Sequence, residues 1–107
     1  MTETNQTTIK KIETMLSENK VVLFMKGSPQ FPQCGFSARA IAILQELETK
    51  FFSVDVLQDA EIRQGIKELG NWPTIPQLYI NKELVGGSDI MMEMYESGEL
   101  KTLLTQS

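Results

Sequence analysis

The chain has 107 residues, of which 41% are hydrophobic and 22% are charged, a size and composition typical of one small globular domain. Its 10 basic and 14 acidic residues give a net charge of −4, which argues against binding to a nucleic-acid backbone. With no histidine and one cysteine, the chain cannot form an internal disulfide, a zinc site of its own or a histidine base.

The first half of the chain predicts two helices and two strands in alternation. Apolar residues recur at helical spacing over residues 7–19 and predict an amphipathic helix. The continuous apolar run at residues 21–25 is typical of a strand covered on both faces. A loop with glycine and two prolines leads to a second helical pattern over residues 35–47. Apolar and polar residues alternate over residues 52–56, which predicts a second strand.

The second half predicts a helix, a hairpin and two further helices. Asp59 can cap a helix with an apolar stripe that ends at Gly70. Two short apolar runs flank residues 81–83 and indicate a hairpin. Residues 86–89 then open a helix that Gly98 ends, and a short final helix follows.

This order of elements predicts an α/β fold. Two strands joined through a helix are parallel, with a right-handed crossover. The hairpin adds two antiparallel strands, which gives a mixed four-stranded sheet flanked by helices on both faces. We therefore expect a thioredoxin-like fold for a single domain spanning residues 1–107.

Cys34 is the candidate reactive residue. It lies between a loop and a helix start, where backbone N–H groups and the positive end of the helix dipole favour the thiolate. The loop could also bring the Lys26 ammonium back towards the sulfur. The alternative is an inert, buried cysteine that serves as a small hydrophobe, which the position at a strand–loop–helix corner disfavours.

Residues 34–37, Cys-Gly-Phe-Ser, have the outline of a C-x-x-C redox motif with serine in the second position. The Ser37 hydroxyl cannot attack a mixed disulfide at Cys34, so a dithiol cycle within the chain is excluded. Any disulfide chemistry needs an outside thiol, and glutathione is the abundant one in cytosol.

Four motifs in this order resemble the CGFS-type monothiol glutaredoxins, in the short single-domain form. They are MKGSP at residues 25–29, CGFS at 34–37, NWPTIPQ at 71–77 and GGSD at 86–89. The resemblance covers nearly the whole chain and implies glutathione as a ligand. In the NWPTIPQ motif, Trp72 could either shape the site or anchor a turn in the core.

The resemblance assigns the two ends of glutathione to different residues. Lys26 and Arg63 match positions that hold the glycine-end carboxylate, although Arg63 on an exposed helix face could simply be solvated. Ile75 precedes Pro76, which resembles the family's cis-proline, and would pair its backbone with glutathione as a short extra strand.

The start of the fourth helix matches the family's site for the γ-glutamyl end. Gly87 and Ser88 would hold the carboxylate there, and Asp89 would take the amine. Gly86 and Gly87 could instead form only a tight strand end, and Asp89 could be only a charge at a helix start. Some family members carry a cysteine where this chain has Ser88, so redox control through an internal disulfide is in doubt.

The resemblance also implies a [2Fe–2S] cluster, which takes four thiolates when all its ligands are cysteine. One chain offers Cys34 alone, so two chains and two glutathione molecules would complete the set. The implied function is a cluster carrier, homodimeric when loaded, whose partners are BolA-like proteins and cluster-accepting apoproteins.

The rival function is a weak glutathione-dependent oxidoreductase, in which Cys34 removes glutathione from glutathionylated proteins. The long loop over residues 28–33 resembles the family branch that turns over poorly. Residues 1–8 are polar with no basic–apolar signal, and no apolar run spans a bilayer. We therefore expect a bacterial cytoplasmic protein without membrane contact, although a processed organellar protein would have the same pattern.

Overall fold

The computed structural model describes residues 6–70 and 74–105, which form four strands, five α-helices and one 3₁₀ turn. In chain order the elements are α1 (Gln6–Glu18), β1 (Val21–Met25), α2 (Gly35–Glu46), β2 (Phe52–Asp55), the 3₁₀ turn (Val56–Gln58), α3 (Ala60–Leu69), β3 (Gln77–Ile80), β4 (Glu83–Gly86), α4 (Ser88–Ser97) and α5 (Glu99–Thr105). Every predicted helix and strand is present, with bounds that shift by a few residues.

The four strands form one mixed sheet in the order β2-β1-β3-β4. β1 pairs in parallel with β2 and antiparallel with β3, and β3 pairs antiparallel with β4. β1 is therefore central, with a strand on each side and helices on each face. This position explains its continuous apolar sequence, because all five of its residues are buried.

Side chains of β1 alternate between two cores, one on each face of the sheet. Leu23 and Met25 pack in the core that includes α2, α4 and α5, together with Leu44, Met91 and Leu100. Val22 and Phe24 pack in the core under α1 and α3, where the rings of Phe24 and Tyr79 meet edge to face at 5.6 Å. The prediction of a thioredoxin-like α/β fold is confirmed.

Two boundaries differ from the sequence prediction for local reasons. β2 ends at Asp55 because its carboxylate accepts the N–H of Leu57 and starts the 3₁₀ turn, so Val56 leaves the strand. The hairpin turn is one residue shorter than predicted. Asn81 and Lys82 both have positive φ, as in a two-residue turn, and Glu83 already pairs with Ile80.

Within residues 6–70 and 74–105, no helix combines the length and the apolar composition that a bilayer crossing requires.

Candidate functional site

The Cys34 thiol lies at the start of α2, where the helix favours its ionised form. Cys34 is the N-cap residue, with extended backbone angles (φ −155°, ψ 138°), and its carbonyl accepts the first helical hydrogen bond from Ala38. The backbone N–H of Ser37 is the largest influence that lowers the pKa of the thiol, and the N–H of Phe36 adds to it. The residue is partly exposed, so the alternative of a cysteine buried in the core is wrong.

Lys26 acts on the same sulfur. It follows β1 directly and is half-buried, and its positive charge contributes to the lowered pKa of Cys34. The hydroxyl of Ser37 lowers that pKa further by hydrogen bonding, while partial burial of the sulfur opposes these effects. The charge of Lys26 therefore favours the Cys34 thiolate, the direction that the sequence analysis expects.

The loop between Lys26 and Cys34 is held by its own backbone. The N–H of Gln33 donates to the carbonyl of Lys26 at 2.9 Å, and the N–H groups of Ser28 and Phe31 donate to each other's carbonyls at 3.2 and 3.1 Å. Gly27 pairs with Pro32 as an isolated bridge. This narrow loop presents Phe31 to solvent, with 74% of its surface exposed, ahead of the thiol.

A groove of about 320 Å³ adjoins the first turn of α2. One wall is Phe36, two residues after the thiol. The other walls are the segment ahead of β3 and the start of α4: Thr74, Ile75, Pro76, Gly87, Ser88, Asp89 and Ile90. The Ile75–Pro76 peptide bond is cis, as predicted. The groove thus combines residues from three separate parts of the chain.

The start of α4 forms the polar end of this groove. Gly87 is the N-cap and has no side chain to accept the N–H groups of the first turn. Gly87 and Ser88 are buried, and Asp89 is exposed in the first turn. Backbone N–H groups at a helix start attract anions, while the Asp89 carboxylate attracts cations. A zwitterionic amino-acid end has both charges that this arrangement can bind.

Of the predicted site residues, Ile75, Gly87, Ser88 and Asp89 come together in the groove. Lys26 is outside this lining, and its positive charge acts on the Cys34 thiol. Arg63 is half-buried on α3, and its Nε is buried with no hydrogen-bond partner among the described residues. The groove lining described here does not include Arg63.

Sequence reasoning missed Phe36, Thr74 and Ile90 as lining residues. For Phe36 the sequence did hold a signal, because it stands two residues after Cys34 in the first turn of the predicted helix. Within the parts of the chain that the structure describes, no group of three or more Cys, Asp or Glu side chains could hold a metal ion. The Asn71–Trp72–Pro73 part of the third motif, including the question of what Trp72 packs against, lies outside the described residues.

The glutaredoxin family profile matches residues 21–85, from the start of β1 into β4. The chain belongs to the glutaredoxin family. This match includes the thiol, its loop and the cis-proline segment of the glutaredoxin chain. It therefore confirms the resemblance to glutaredoxins, although the GGSD motif at residues 86–89 lies beyond the matched residues.

Relatives of this glutaredoxin chain include monothiol members. It is 56% identical over 100 residues to a monothiol glutaredoxin from Synechocystis, covering 94% of each chain. It is 48% identical over 101 residues to glutaredoxin 4 of Escherichia coli, covering 94% of this chain and 88% of that one. The sequence prediction of a monothiol glutaredoxin is confirmed.

Solved structures agree with the fold of this glutaredoxin. The solution structure of reduced apo GrxS14 from poplar has a TM-score of 0.79 and 49% identity, over 88% of this chain and 86% of that chain. The crystal structure of a buckwheat glutaredoxin–glutathione complex has a TM-score of 0.83, over 94% and 89% of the two chains. At 22% identity, the buckwheat protein supports the fold alone.

Proposed function

We propose that this glutaredoxin binds glutathione and carries a [2Fe–2S] cluster, ligated by Cys34 and glutathione between two chains, for transfer to acceptor proteins. The observation that carries the proposal is the placement of the chain's one cysteine. Cys34 is partly exposed at a helix start, its thiolate is favoured, and the groove begins in the same helical turn.

Glutathione suits the groove in size and charge. A volume of about 320 Å³ lies at the lower end of the range for small-molecule sites. Glutathione has two carboxylates and one amine. The start of α4 would take the γ-glutamyl carboxylate and Asp89 the amine, while the Ile75 backbone would pair with the middle of the tripeptide. The match of residues 21–85 to the glutaredoxin family supports this choice of ligand.

Lys26 and Arg63 would bind the glycine-end carboxylate. The positive charge of Lys26 acts on the sulfur at which the glutathione thiol would have to arrive. The buried Nε of Arg63, which has no partner among residues 6–70 and 74–105, is a donor that a carboxylate could satisfy. Because Arg63 lies outside the groove lining, glutathione would have to extend from the groove towards α3 to reach it.

The number of thiols determines the stoichiometry. A cluster with four thiolate ligands cannot be held by one chain that has one cysteine, and the described residues offer no other cluster of metal ligands. Two chains and two glutathione molecules supply four thiolates. A cluster bound in this way is cargo that exchangeable ligands can release, which suits transfer.

We infer the partners and location from the same proposal. They are BolA-like proteins and cluster-accepting apoproteins, met in a bacterial cytoplasm, with residues 1–107 acting as one glutaredoxin domain.

Anaerobic reconstitution tests the proposal. The reduced protein is mixed with ferrous iron, sulfide and glutathione, desalted, and examined by visible absorption. We expect a cluster chromophore that requires both glutathione and Cys34. A colourless protein, or equal colour in Cys34→Ser, would contradict the proposal.

A second candidate is glutathione-dependent reduction of mixed disulfides, favoured by the lowered pKa of a partly exposed thiol. The Cys34 thiolate would attack the glutathione sulfur of a glutathionylated protein and release the protein thiol. A second glutathione thiolate would then attack the Cys34 mixed disulfide, releasing oxidised glutathione and the Cys34 thiolate. Rapid turnover in a reductase-coupled assay, by a protein that takes up no cluster, would favour this function over cluster transfer.

A further inference from the structure

Gln77 is the first residue of β3, and its side chain is fully buried. Its backbone pairs with Phe24 of the central strand, so the sheet fixes the position of its Cα. A primary amide in a protein core costs free energy unless its hydrogen-bonding groups find partners. The partners of this amide therefore indicate its role.

Both ends of the Gln77 amide have a partner. Oε1 accepts the hydroxyl of Tyr79 at 3.3 Å, and Nε2 donates to the backbone carbonyl of Thr74 at 3.1 Å. The Tyr79 ring packs edge to face on Phe24, and a Cβ added at Gly70 would lie 2.8 Å from its hydroxyl. The hydroxyl of Tyr79 is thus confined, and it leaves the donor end of the amide for Thr74.

The Thr74 carbonyl belongs to a peptide unit at the groove, since Thr74, Ile75 and Pro76 all line it. This carbonyl and the N–H of Ile75 share one planar trans unit, because the cis bond is the next one along the chain. In a trans unit the carbonyl and the N–H point in opposite directions. With the carbonyl turned to the buried Gln77 amide, the Ile75 N–H points away from the core, to the groove side.

The direction of this N–H matters for the proposed ligand. Pairing of the Ile75 backbone with the middle of glutathione, as a short extra strand, uses both the N–H and the carbonyl of Ile75. A hydrogen bond weakens steeply when its donor is misaligned. A peptide unit that was free to rotate would also lose binding free energy when the ligand orders it.

We propose that Gln77 is a positioning residue, whose side-chain amide holds the Thr74 carbonyl and so aims the Ile75 N–H into the groove for glutathione. Because Gln77 is fully buried, it would act on the ligand through the peptide unit rather than by contact. The proposal rests on the proposed function in one respect, the binding of glutathione in the groove.

The test is an NMR titration of the reduced protein with S-methylglutathione, followed through the backbone amide signals. This ligand has no thiol, so it forms neither a disulfide nor a thiolate bond to a cluster. Gln77→Met keeps the length of the side chain and removes its strong donor and acceptor. We expect this variant to bind S-methylglutathione roughly three- to tenfold more weakly, as for one lost hydrogen bond.

Asn19→Ala is the matched control. Asn19 also donates from a side-chain amide to a backbone carbonyl, that of Met15 at 3.0 Å, but it follows the end of α1. Its removal costs a hydrogen bond of the same kind without touching the groove. The affinity for S-methylglutathione should change less than about twofold.

The amide signals separate positioning from a general loss of stability. At saturating ligand, the Ile75 amide proton of the native protein should shift downfield, because it gains a hydrogen bond. In Gln77→Met this shift at saturation should shrink by roughly half or more, as expected for a misaligned donor. The shift of the Ser88 amide, at the other end of the groove, should stay as in the native protein.

The outcomes distinguish this proposal from the proposed function. Native binding that Gln77→Met does not weaken, or equal weakening in Asn19→Ala, overturns this proposal alone. An Ile75 shift that stays native in the variant, or that shrinks together with the Ser88 shift, does the same. A native protein that binds no S-methylglutathione overturns the proposed function as well. If Gln77→Met does not fold, the native protein decides, and an Ile75 amide that does not shift at saturation overturns the proposal.

Discussion

Gly27→Ala should destabilise the protein more than the same change at Gly98 or Gly35. Gly27 has φ of +91°, a conformation that L-residues rarely adopt. A Cβ added there would lie 2.5 Å from the carbonyl oxygen of Phe31 and 2.7 Å from the backbone nitrogen of Gln33. Both are backbone atoms of the loop, so the loop itself would have to move.

The size of the effect follows from these contacts. The left-handed backbone costs an alanine about 1–2 kcal/mol. Displacing the loop also weakens the hydrogen bond from Gln33 to Lys26 and the Gly27–Pro32 bridge, at about 1 kcal/mol for each hydrogen bond. We therefore expect a loss of about 2–4 kcal/mol in the free energy of unfolding. A domain of this size would then melt roughly 10–20 °C lower.

Two other glycines supply matched controls for urea and thermal unfolding. Gly98 has φ of +87° but nothing within 4 Å of an added Cβ, so Gly98→Ala should cost about 1 kcal/mol from the backbone alone. Gly35 has neither problem, and Gly35→Ala at the start of α2 should be neutral or slightly stabilising. Equal losses for Gly27→Ala and Gly98→Ala would refute the loop packing described above.

Two further predictions concern single carboxylates. Asp59→Ala should cost about 1 kcal/mol at pH 7 through loss of a helix cap. The N–H of Ile62, with help from Lys11, lowers the pKa of Asp59 in the folded state. The stabilisation by the Asp59 carboxylate is therefore complete above the pKa of an unfolded aspartate, about 3.9, and it declines as the pH falls through the folded pKa. Urea unfolding at neutral and strongly acidic pH measures it, and a difference that stays constant in acid would contradict the assignment. Asp89→Asn should weaken glutathione binding roughly three- to tenfold in calorimetry, as expected for one charge-assisted contact, whereas Glu93→Gln, on an exposed part of the next turn, should change it less than about twofold.

The fold could be predicted because the strongest sequence signals come from burial. The continuous apolar run of β1 identified the central strand, and the strand–loop–helix order placed Cys34 at a helix start. Boundaries were less predictable where a side chain or an unusual φ decides them. Asp55 ends β2 by accepting a backbone N–H, and Lys82 adopts positive φ, which its residue type does not indicate.

The site could be predicted in part, because its motifs are local but its contacts are not. Ile75 and Gly87 meet in the groove only because the hairpin returns the chain to the same end of the sheet. The hydrogen bond from the Gly27 N–H to the Asp55 carboxylate depends on the register between β1 and β2. The alternation over residues 52–56 could not predict this contact, since a sequence pattern carries no parallel register.

The central claim is that one thiol per chain and one glutathione per chain together ligate the cluster. Native mass spectrometry of the anaerobically reconstituted protein tests it most directly, because it counts every component of the loaded species. We predict two chains, two glutathione molecules and one [2Fe–2S] unit in one assembly, which is lost in Cys34→Ser. A loaded monomer, or a loaded dimer without glutathione, would contradict the claim.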